Sequence, residues 1–539
     1  MFDWIRVAMG GLAIAATSVT MAMQIGHAQG ASAQSIVAGA AKMLGGAEKI
    51  RAVRTITLHG YGQYAYQMGG GRISGAPDAP EKYMAANDLS RVYDLEHGRF
   101  QIRERRNMLF PFLAPFGHSF ALNDNRLDGD VAFDMNGERA QRVPQFLDGA
   151  LIMDGVHMRR MWMMNNPVVL VRAMLDPATK LSVPKQAGGV TTIDVTLKEG
   201  DTLTAAFASD NMPAWVRWAH PQTNLGQATL TTSFSGWSDT AGLVMPLAYQ
   251  TRMDWRNVDF FKVYVDAYEV DGKIPDLAAP AAIRGAAEPA SYTVQPVTSK
   301  AVGKGIWRIS NGTTVLEFKD HLVLFELGVN ARGQAKAVID HARSLVPGKP
   351  VTQLIISHHH FDHTAGFRAA VAEGLTIIQR PTSGVIFREM ASHAAPDFPD
   401  DLAKNKKPLK FTPVDEHLRL ADETQTVDVY WGRSNGHMAD VLFAYVPSEK
   451  LLIEGDMVTA AFDWQHWPDT FRDAIGHYKL DVQRISPVHS VSRDFPDVLT
   501  LQQAEDLLKG GTERARQHCA AELTKGNYWP GCPIQSKYY

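Results

Sequence analysis

The sequence predicts a multidomain chain of mixed α and β structure, in which a β-rich N-terminal domain precedes an α/β domain. The chain has 539 residues, more than one ordinary domain contains. Residues 53–269 are mostly short alternating segments, whereas strand and helix patterns alternate after residue 300. Residues 274–296, rich in Ala and Pro, separate the two patterns and are typical of a linker. We therefore predict domains over residues 34–277 and 299–521, a linker over 278–298 and a tail over 522–539.

The composition is that of an ordinary globular protein, with 45% apolar and 21% charged residues. The net charge is only −3, and Lys and Arg form no basic stripe along a helix. We therefore expect no nucleic-acid partner.

The first 33 residues have the layout of a secretory signal peptide. Arg6 precedes an apolar or small stretch over residues 7–23, and Ala31-Ser32-Ala33 offers an A-x-A cleavage pattern, with Gly26-His27-Ala28 as a second candidate. A transmembrane anchor is the alternative, but the stretch is short and interrupted, whereas a spanning helix needs about 20 apolar residues. No later segment is long and apolar enough to span a bilayer. We expect a periplasmic or secreted protein.

The N-terminal domain begins with a predicted helix over residues 35–51, with a stop signal at Gly45-Gly46. Period-two alternation then predicts antiparallel strands, for example over residues 55–60, 191–197 and 227–232. Residues 153–176 break this pattern and are predicted to be helical. Their methionines are explained by core packing or by an adaptable apolar binding surface, and the residues concerned are Met158, Met161, Met163 and Met164.

The C-terminal domain begins with predicted strands over residues 305–309, 314–319 and 322–326, followed by a helix over 331–346. The next strand, over residues 351–357, runs directly into His358-His359-His360-Phe361-Asp362-His363. Because alternate residues of an extended segment share a side, His358 and His360 can bind one ion together. The turn that follows can direct Asp362 and His363 to a second ion. His359 points away in this scheme and is not predicted to be a ligand.

Three further candidate ligands follow strand patterns downstream, which is where α/β sheets place their sites. They are His437 in Ser434-Asn435-Gly436-His437, Asp456 in Glu454-Gly455-Asp456, and His489 in Ser486-Pro487-Val488-His489. The order of all these motifs resembles the metallo-β-lactamase superfamily over residues 302–521.

The resemblance implies an αββα sandwich with two metal ions at one edge. It implies that His358, His360 and His437 hold the first ion, that Asp362, His363 and His489 hold the second, and that Asp456 bridges both. The family usually has an Asp in the strand before the first helix, where this chain offers Glu326.

Histidine and carboxylate ligands without Cys suit zinc, and Mn²⁺ or Fe are compatible. The resemblance implies two Zn²⁺ ions whose bound hydroxide attacks the substrate, with Asp362 and Asp456 as catalytic proton carriers. The drug-resistance β-lactamases of the superfamily generally lack the bridging Asp, whereas lactonases, glyoxalase-type thioesterases and organophosphate hydrolases have it. We therefore predict an exported binuclear-zinc hydrolase of a carboxylic ester or lactone. Organophosphate or phosphodiester hydrolysis is the second choice, and β-lactam hydrolysis is the third.

Two alternatives of another class stay open. Some superfamily members bind one iron and oxidise persulfides, and they share the first histidine set and the Gly-Asp motif. The N-terminal domain also faintly resembles the periplasmic lipoprotein-carrier half-barrel, which implies an incomplete barrel around an apolar cavity. A non-enzymatic periplasmic carrier with a structural metal site is therefore the other alternative.

The substrate is expected to be a small, apolar, ester-like molecule, and the oligomeric state is not predicted. Aromatic and histidine side chains after the Gly-Asp motif can form its pocket, with packing under a loop as the alternative; these are Phe462, Trp464, His466 and Trp467. His477 is a further candidate donor to an oxyanion. Cys519 and Cys532 can form a disulfide near the C-terminus, or they stay as two thiols.

Overall fold

The computed structural model describes residues 32–66, 81–108, 120–142, 155–287, 294–328, 333–433, 438–458, 467–489 and 496–509, together with residues 517, 520, 521 and 524. Several predicted features lie outside the described residues, namely the signal peptide to residue 31, His437, Phe462, Trp464, His466, Cys519 and Cys532. The side chain of Trp467 also lies outside the description.

The N-terminal domain is built on one antiparallel sheet. Its strands are β1 (Thr55–Ala65), β2 (Tyr83–Asp94), β3 (Arg99–Met108), β4 (Phe120–Asp128), β5 (Val131–Asn136), β6 (Arg139–Arg142), β7 (Lys180–Leu181), β8 (Lys185–Ala187), β9 (Val190–Thr196), β10 (Thr202–Phe207), β11 (Pro213–Gln222), β12 (Gly226–Thr240), β13 (Leu243–Met253) and β14 (Val258–Val270). The described strands follow the order β6-β5-β4-β3-β2-β1-β14-β13-β12-β11-β10-β9-β7, with β8 paired to β9. The first and last strands therefore lie side by side in the middle of the sheet.

Four helices contribute side chains to the core of the N-terminal domain, and a fifth lies in the segment between the domains. They are α1 (Ala33–Met43), α2 (Ala47–Ala52), α3 (Gly155–Met164), α4 (Pro167–Met174) and α5 (Ala281–Arg284). Helix α3 contacts β4 and β5 on one side and β11 on the other, so the sheet curves around it. The Met cluster of α3 is buried in the core between helix and sheet, as the packing interpretation predicts. The lipoprotein-carrier resemblance stays a prediction.

Two predicted helices are each divided in two by their own sequences. Gly45 and Gly46 have φ values of 116° and 103°, which end α1 and let α2 begin in a new direction. Between α3 and α4, the Asn166 side chain accepts a hydrogen bond from the backbone N–H of Val168 at 2.9 Å. Asn166 is therefore an N-cap, followed by Pro167 in the first turn.

The C-terminal domain contains two sheets, and its strands begin at residue 299. The strands are β15 (Ser299–Gly303), β16 (Ile306–Ile309), β17 (Thr314–Glu317), β18 (Leu322–Phe325), β19 (Val351–Ile355), β20 (Thr376–Gln379), β21 (Lys410–Pro413), β22 (His417–Ala421), β23 (Thr426–Trp431), β24 (Leu442–Val446), β25 (Leu451–Glu454), β26 (Arg484–Pro487) and β27 (Leu499–Thr500). Among the described residues, β15 to β21 form one sheet and β22 to β27 form the other, each in chain order. The pairs β18–β19, β19–β20, β20–β21 and β25–β26 are parallel.

Helices cover the outer faces of both sheets. They are α6 (Gln334–Leu345), α7 (Phe361–Thr364), α8 (Phe367–Glu373), α9 (Gly384–Ser392), α10 (Asp401–Lys404), α11 (Trp467–Tyr478) and α12 (Leu501–Lys509). In β19, Leu354 packs toward the α6 side while Ile355 packs between the sheets, because alternate strand residues face opposite sides. Helices α11 and α12 bury Phe471 and Leu507 against the second sheet. The result is the predicted αββα sandwich, and the predicted fold class is confirmed.

The two domains share one continuous apolar core. The residues that line the N-terminal sheet and the outer face of β19 belong to the same buried cluster. No helix among the described residues is long and apolar enough to cross a membrane.

Candidate metal centre

The candidate ligands from the first motif lie where β19 ends and α7 begins. We call residues 358–364 the ligand segment. His358, His360 and His363 are buried there, and His360 is the N-cap of α7. Asp456 follows β25 and His489 follows β26, so neighbouring parallel strands bring the later candidates to the same edge.

Asp456 lies between the other candidate ligands. Its Oδ1 atom is 3.1 Å from Nε2 of His363 and 3.2 Å from Nε2 of His489. Its Oδ2 atom is 3.5 Å from Nε2 of His358. Asp362 places Oδ2 at 3.4 Å from Nε2 of both His363 and His489. The carboxylate of Asp456 therefore lies close to imidazoles that the sequence analysis assigns to different ions.

Two ligand sets emerge among the described residues, with the ligand atoms of each set within 4.8 Å of one another. One set is His358, His363 and Asp456, and the other is Asp362, His363 and His489. His360 is close to the first set, because its ring centroid is 4.5 Å from that of His358.

Glycine is required at the turn that carries Asp456. A Cβ atom on Gly455 would lie 2.3 Å from Oγ of Ser357 and 2.8 Å from its Cβ atom. This close approach brings the β25 turn against the end of β19. Gly328 has a similar role, since a Cβ atom there would lie 2.3 Å from the carbonyl oxygen of Asp362.

Hydrogen bonds at Nδ1 orient the imidazoles, as is usual for metal-binding histidines. The buried carboxylate of Glu326 accepts a hydrogen bond from the backbone N–H of Ser357 at 2.6 Å and lies 3.3 Å from Nδ1 of His363. Glu326 has a φ of 66°, an uncommon backbone conformation for a residue other than glycine. Oγ of Ser357 lies 2.8 Å from Nδ1 of His358. The Nε2 atoms of His358 and His363 are thereby left to face Asp456.

His359 belongs to a different cluster. Its Nδ1 atom lies 2.9 Å from Oδ2 of Asp440, which also accepts a hydrogen bond from Ser383. All three side chains are buried. His359 therefore anchors the ligand segment to the second sheet, and it belongs to neither ligand set among the described residues.

The centre concentrates opposite charges. Burial disfavours the charged form of His489, but Asp456 and Asp362 outweigh it and raise the pKa of His489 to about 10. Burial also opposes the charge on His363, yet the same carboxylates raise its pKa. For Asp362, burial is outweighed by His363 and His489, which lower the pKa of the carboxyl group. Burial raises the pKa of Glu454, two residues before Asp456.

This donor set fits zinc. It consists of imidazoles and carboxylates without thiolates, and zinc is bound by such groups. Imidazoles that hold protons among carboxylates are also sites where a cation replaces protons on binding. The grouping of these ligand atoms within 4.8 Å of one another supports the prediction that the centre binds metal.

The N-terminal domain also reaches the centre, which the sequence did not predict. Tyr66 lies just after β1 and is buried. Burial raises the pKa of its hydroxyl group, and the carboxylates of Asp362 and Asp456 raise it further. Asn224, in the turn between β11 and β12, donates a hydrogen bond to the carbonyl oxygen of Phe361 at 2.8 Å. Neither residue has a local sequence signal, because each depends on how the two domains pack.

Two of the candidates that follow the Gly-Asp motif lie in α11. Trp467 begins α11, and His477 near its end is exposed. Nε2 of His477 accepts a hydrogen bond from Nη1 of Arg433 at 3.1 Å. His477 is thus placed in a surface contact with Arg433, and its role as an oxyanion donor stays a prediction.

Residues 313–489 match the sequence model described as the metallo-beta-lactamase superfamily. No curated protein matches the chain. Similar solved structures include a metallo-beta-lactamase from Pontibacter korlensis, with 17% identity, a TM-score of 0.31, and coverage of 40% of this chain and 98% of that one. Another is the metallo-beta-lactamase FIM-1 from Pseudomonas aeruginosa in a mono-zinc form, with 16% identity, a TM-score of 0.31, and coverage of 42% of this chain and 99% of that one.

Proposed function

We propose that this protein hydrolyses a carboxylic ester or lactone with two zinc ions. The premise is that residues 313–489 form a domain of the metallo-β-lactamase superfamily, whose members are generally metal-dependent hydrolases. The carrying observation is Asp456, whose Oδ1 and Oδ2 atoms lie 3.1 Å and 3.5 Å from Nε2 of His363 and His358. Both histidines belong to one ligand set, and Oδ1 of Asp456 also lies 3.2 Å from Nε2 of His489 in the other set, so its carboxylate is suited to bridge two ions.

Zinc bound at this centre supplies an activated water and polarises the scissile carbonyl group. The chain itself supplies the orientation of the ligands and a proton acceptor. Glu326 and Ser357 hold the rings of His363 and His358 through Nδ1. Asp362 has 28% of its side chain exposed and a lowered pKa, so its ionised carboxylate can accept a proton at the solvent-facing side.

The ester or lactone assignment rests on the bridging position of Asp456. The β-lactamases of the superfamily that confer drug resistance generally lack an aspartate there, whereas its lactonases and thioesterases have one. Organophosphate hydrolysis is the next candidate on the same ground. His489, which lies 3.2 Å from Asp456, favours a two-metal hydrolase over a mononuclear iron oxygenase. The signal-peptide pattern of residues 1–33 supports export to the periplasm or the medium.

A substrate panel with metal analysis tests this proposal. The purified chain, reconstituted with zinc, is assayed on chromogenic esters, lactones, phosphotriesters and a β-lactam while bound metal is measured. We expect two zinc ions per chain and the highest kcat/KM on an ester or lactone. Asp362→Ala should abolish this turnover and lower the zinc content. Asp340→Ala, at an exposed position of α6, is the control and should change neither quantity.

Two results contradict the proposal. Turnover of the β-lactam alone would show that the position of Asp456 does not report the substrate class. One iron per chain, together with persulfide oxidation, would show that the centre is not hydrolytic.

A further inference from the structure

The turn between β11 and β12 inserts a buried amide into the C-terminal domain. Asn224 is 2% exposed, and its Nδ2 atom donates to the carbonyl oxygen of Phe361 and to Oγ1 of Thr364, both at 2.8 Å. Its Oδ1 atom accepts a hydrogen bond from Nε2 of Gln222 at 3.1 Å. Oε1 of Gln222 in turn accepts from the backbone N–H of Leu225 at 2.7 Å. The amide of Asn224 therefore uses both its donors and its acceptor, and its orientation is fixed.

These contacts fall on the ligand segment itself. Phe361 lies between His360 and Asp362, and Thr364 directly follows His363. The hydroxyl group of Thr364 donates a hydrogen bond to the carbonyl oxygen of His360 at 2.9 Å. A single side chain of the N-terminal domain therefore restrains backbone that carries candidate ligands of both ions.

Aromatic packing supports the same contact. The ring centroid of Trp255, which follows β13, lies 5.7 Å from that of Phe361, and both residues are buried. Beside it, Nδ1 of His393 lies 3.2 Å from the carbonyl oxygen of Leu225. Because an unpaired buried carbonyl group is costly, removal of the Asn224 amide would favour movement of Phe361.

We propose that Asn224 is a positioning residue that holds the ligand segment in its metal-binding geometry from the N-terminal domain. The inference rests on the proposed function only in taking these side chains as metal ligands, and it does not depend on the substrate. The N-terminal domain is then part of the metal centre, and the C-terminal domain alone would bind zinc less tightly.

Gln227 provides a matched control on the next strand. It is also 2% exposed and crosses the same domain interface. Its Oε1 atom accepts hydrogen bonds from the backbone N–H groups of Asp397 and Phe398, at 2.9 Å and 3.2 Å. Among the described residues, its hydrogen bonds reach Thr229, Asp397 and Phe398 and none reaches the ligand segment, so its removal disturbs the interface without touching the candidate ligands.

The test compares Asn224→Leu with Gln227→Leu in the full chain. Zinc affinity is measured by chelator competition, the ligand geometry by the visible spectrum of the Co²⁺ form, and stability by thermal unfolding of the metal-free protein. We expect zinc affinity to fall about 10–100-fold in Asn224→Leu, with an altered cobalt spectrum. Gln227→Leu should keep the wild-type affinity and spectrum. Its unfolding temperature should fall by about as much as that of Asn224→Leu.

Unchanged zinc affinity in Asn224→Leu overturns the inference, and so does an equal loss of affinity in both variants. Thr364→Val gives a second route if Asn224→Leu does not fold, because it removes the hydroxyl group that links Asn224 to His360. We expect the same weakening of zinc binding, and wild-type binding in Thr364→Val would likewise overturn the inference. If the wild-type chain binds two zinc ions but hydrolyses no ester, only the proposed function fails.

Discussion

Gly455→Ala should displace Asp456, which we propose to bridge the two ions. The added Cβ atom would begin 2.3 Å from Oγ of Ser357, whereas carbon atoms pack best at about 3.5–4.0 Å, so the two groups must separate by roughly 1 Å. Ser357 cannot simply rotate away, because its Oγ lies 2.8 Å from Nδ1 of His358. The displacement therefore passes to the turn that carries Asp456.

A shift of this size at a catalytic group costs about 100-fold in rate, and we expect kcat/KM on the best ester or lactone to fall by that factor. Overpacking should also lower the free energy of unfolding by about 1–3 kcal/mol. The assays are steady-state kinetics, zinc content by elemental analysis, and urea unfolding of the metal-free protein. Displacement of Asp456 should also lower the zinc content of Gly455→Ala. Ser357→Gly, added to this variant, removes both clashing atoms and should restore part of that zinc.

Gly476→Ala is the matched control. Gly476 lies in α11, and an added Cβ atom there meets nothing within 4 Å. We expect unchanged kinetics and a gain of up to about 1 kcal/mol in stability, since alanine favours helix over glycine. The reasoning is refuted if Gly455→Ala keeps its zinc and its activity, or if Gly476→Ala loses them equally.

Three further predictions concern groups around the centre and in the N-terminal domain. Glu326→Gln removes the charge beside Nδ1 of His363 and should weaken zinc binding about 10–100-fold in chelator competition. Wild-type zinc affinity in this variant would show that Glu326 does not orient the ring. The carboxylates raise the pKa of His489 to about 10, so zinc must displace a proton from this histidine. Zinc affinity should therefore rise with pH across the neutral range, and a flat profile would contradict this. Asp201 is largely buried, but its hydrogen bond with His157 helps to lower the pKa of the carboxyl group, so the carboxylate stabilises the fold above its unfolded-state pKa. Asp201→Asn should therefore lower the free energy of unfolding by about 2 kcal/mol at neutral pH, as measured by urea unfolding. This difference should shrink as the pH falls through the folded-state pKa, and a difference that persisted in acid would contradict the prediction.

Strand and helix periodicities are local properties, so they predicted a β-rich domain followed by an α/β domain. The αββα layers were implied by the resemblance to the metallo-β-lactamase superfamily. The candidate ligands of the first motif were predicted for a related reason, because four of them lie within six consecutive positions after a buried strand. They are His358, His360, Asp362 and His363. Asp456 adjoins a short apolar run in the same way. The helix stop at Gly45-Gly46 was also predicted, whereas the break at Asn166 was less evident, since Asn166 acts as a cap only because Pro167 and the core start a new helix there.

Tyr66 and Asn224 could not be predicted from local sequence. They precede the ligand segment by more than a hundred residues, and a single Tyr or Asn in a β-rich region has many ordinary roles. Their proximity to the centre arises from the shared core of the two domains. The sequence showed Glu326 at the position where the family usually has an Asp. Its hydrogen bond with the backbone N–H of Ser357 was not predicted, because it accompanies a left-handed backbone conformation at Glu326.

The ligand segment is restrained from two sides by two different domains. Glu326, at the end of β18, binds the backbone of Ser357 and faces His363 from within the C-terminal domain. Asn224 binds Phe361 and Thr364 from the N-terminal domain. A ligand segment at a strand end lacks the regular hydrogen bonds of a sheet, so its geometry depends on such added partners. The N-terminal domain therefore acts as structural support for the candidate metal centre.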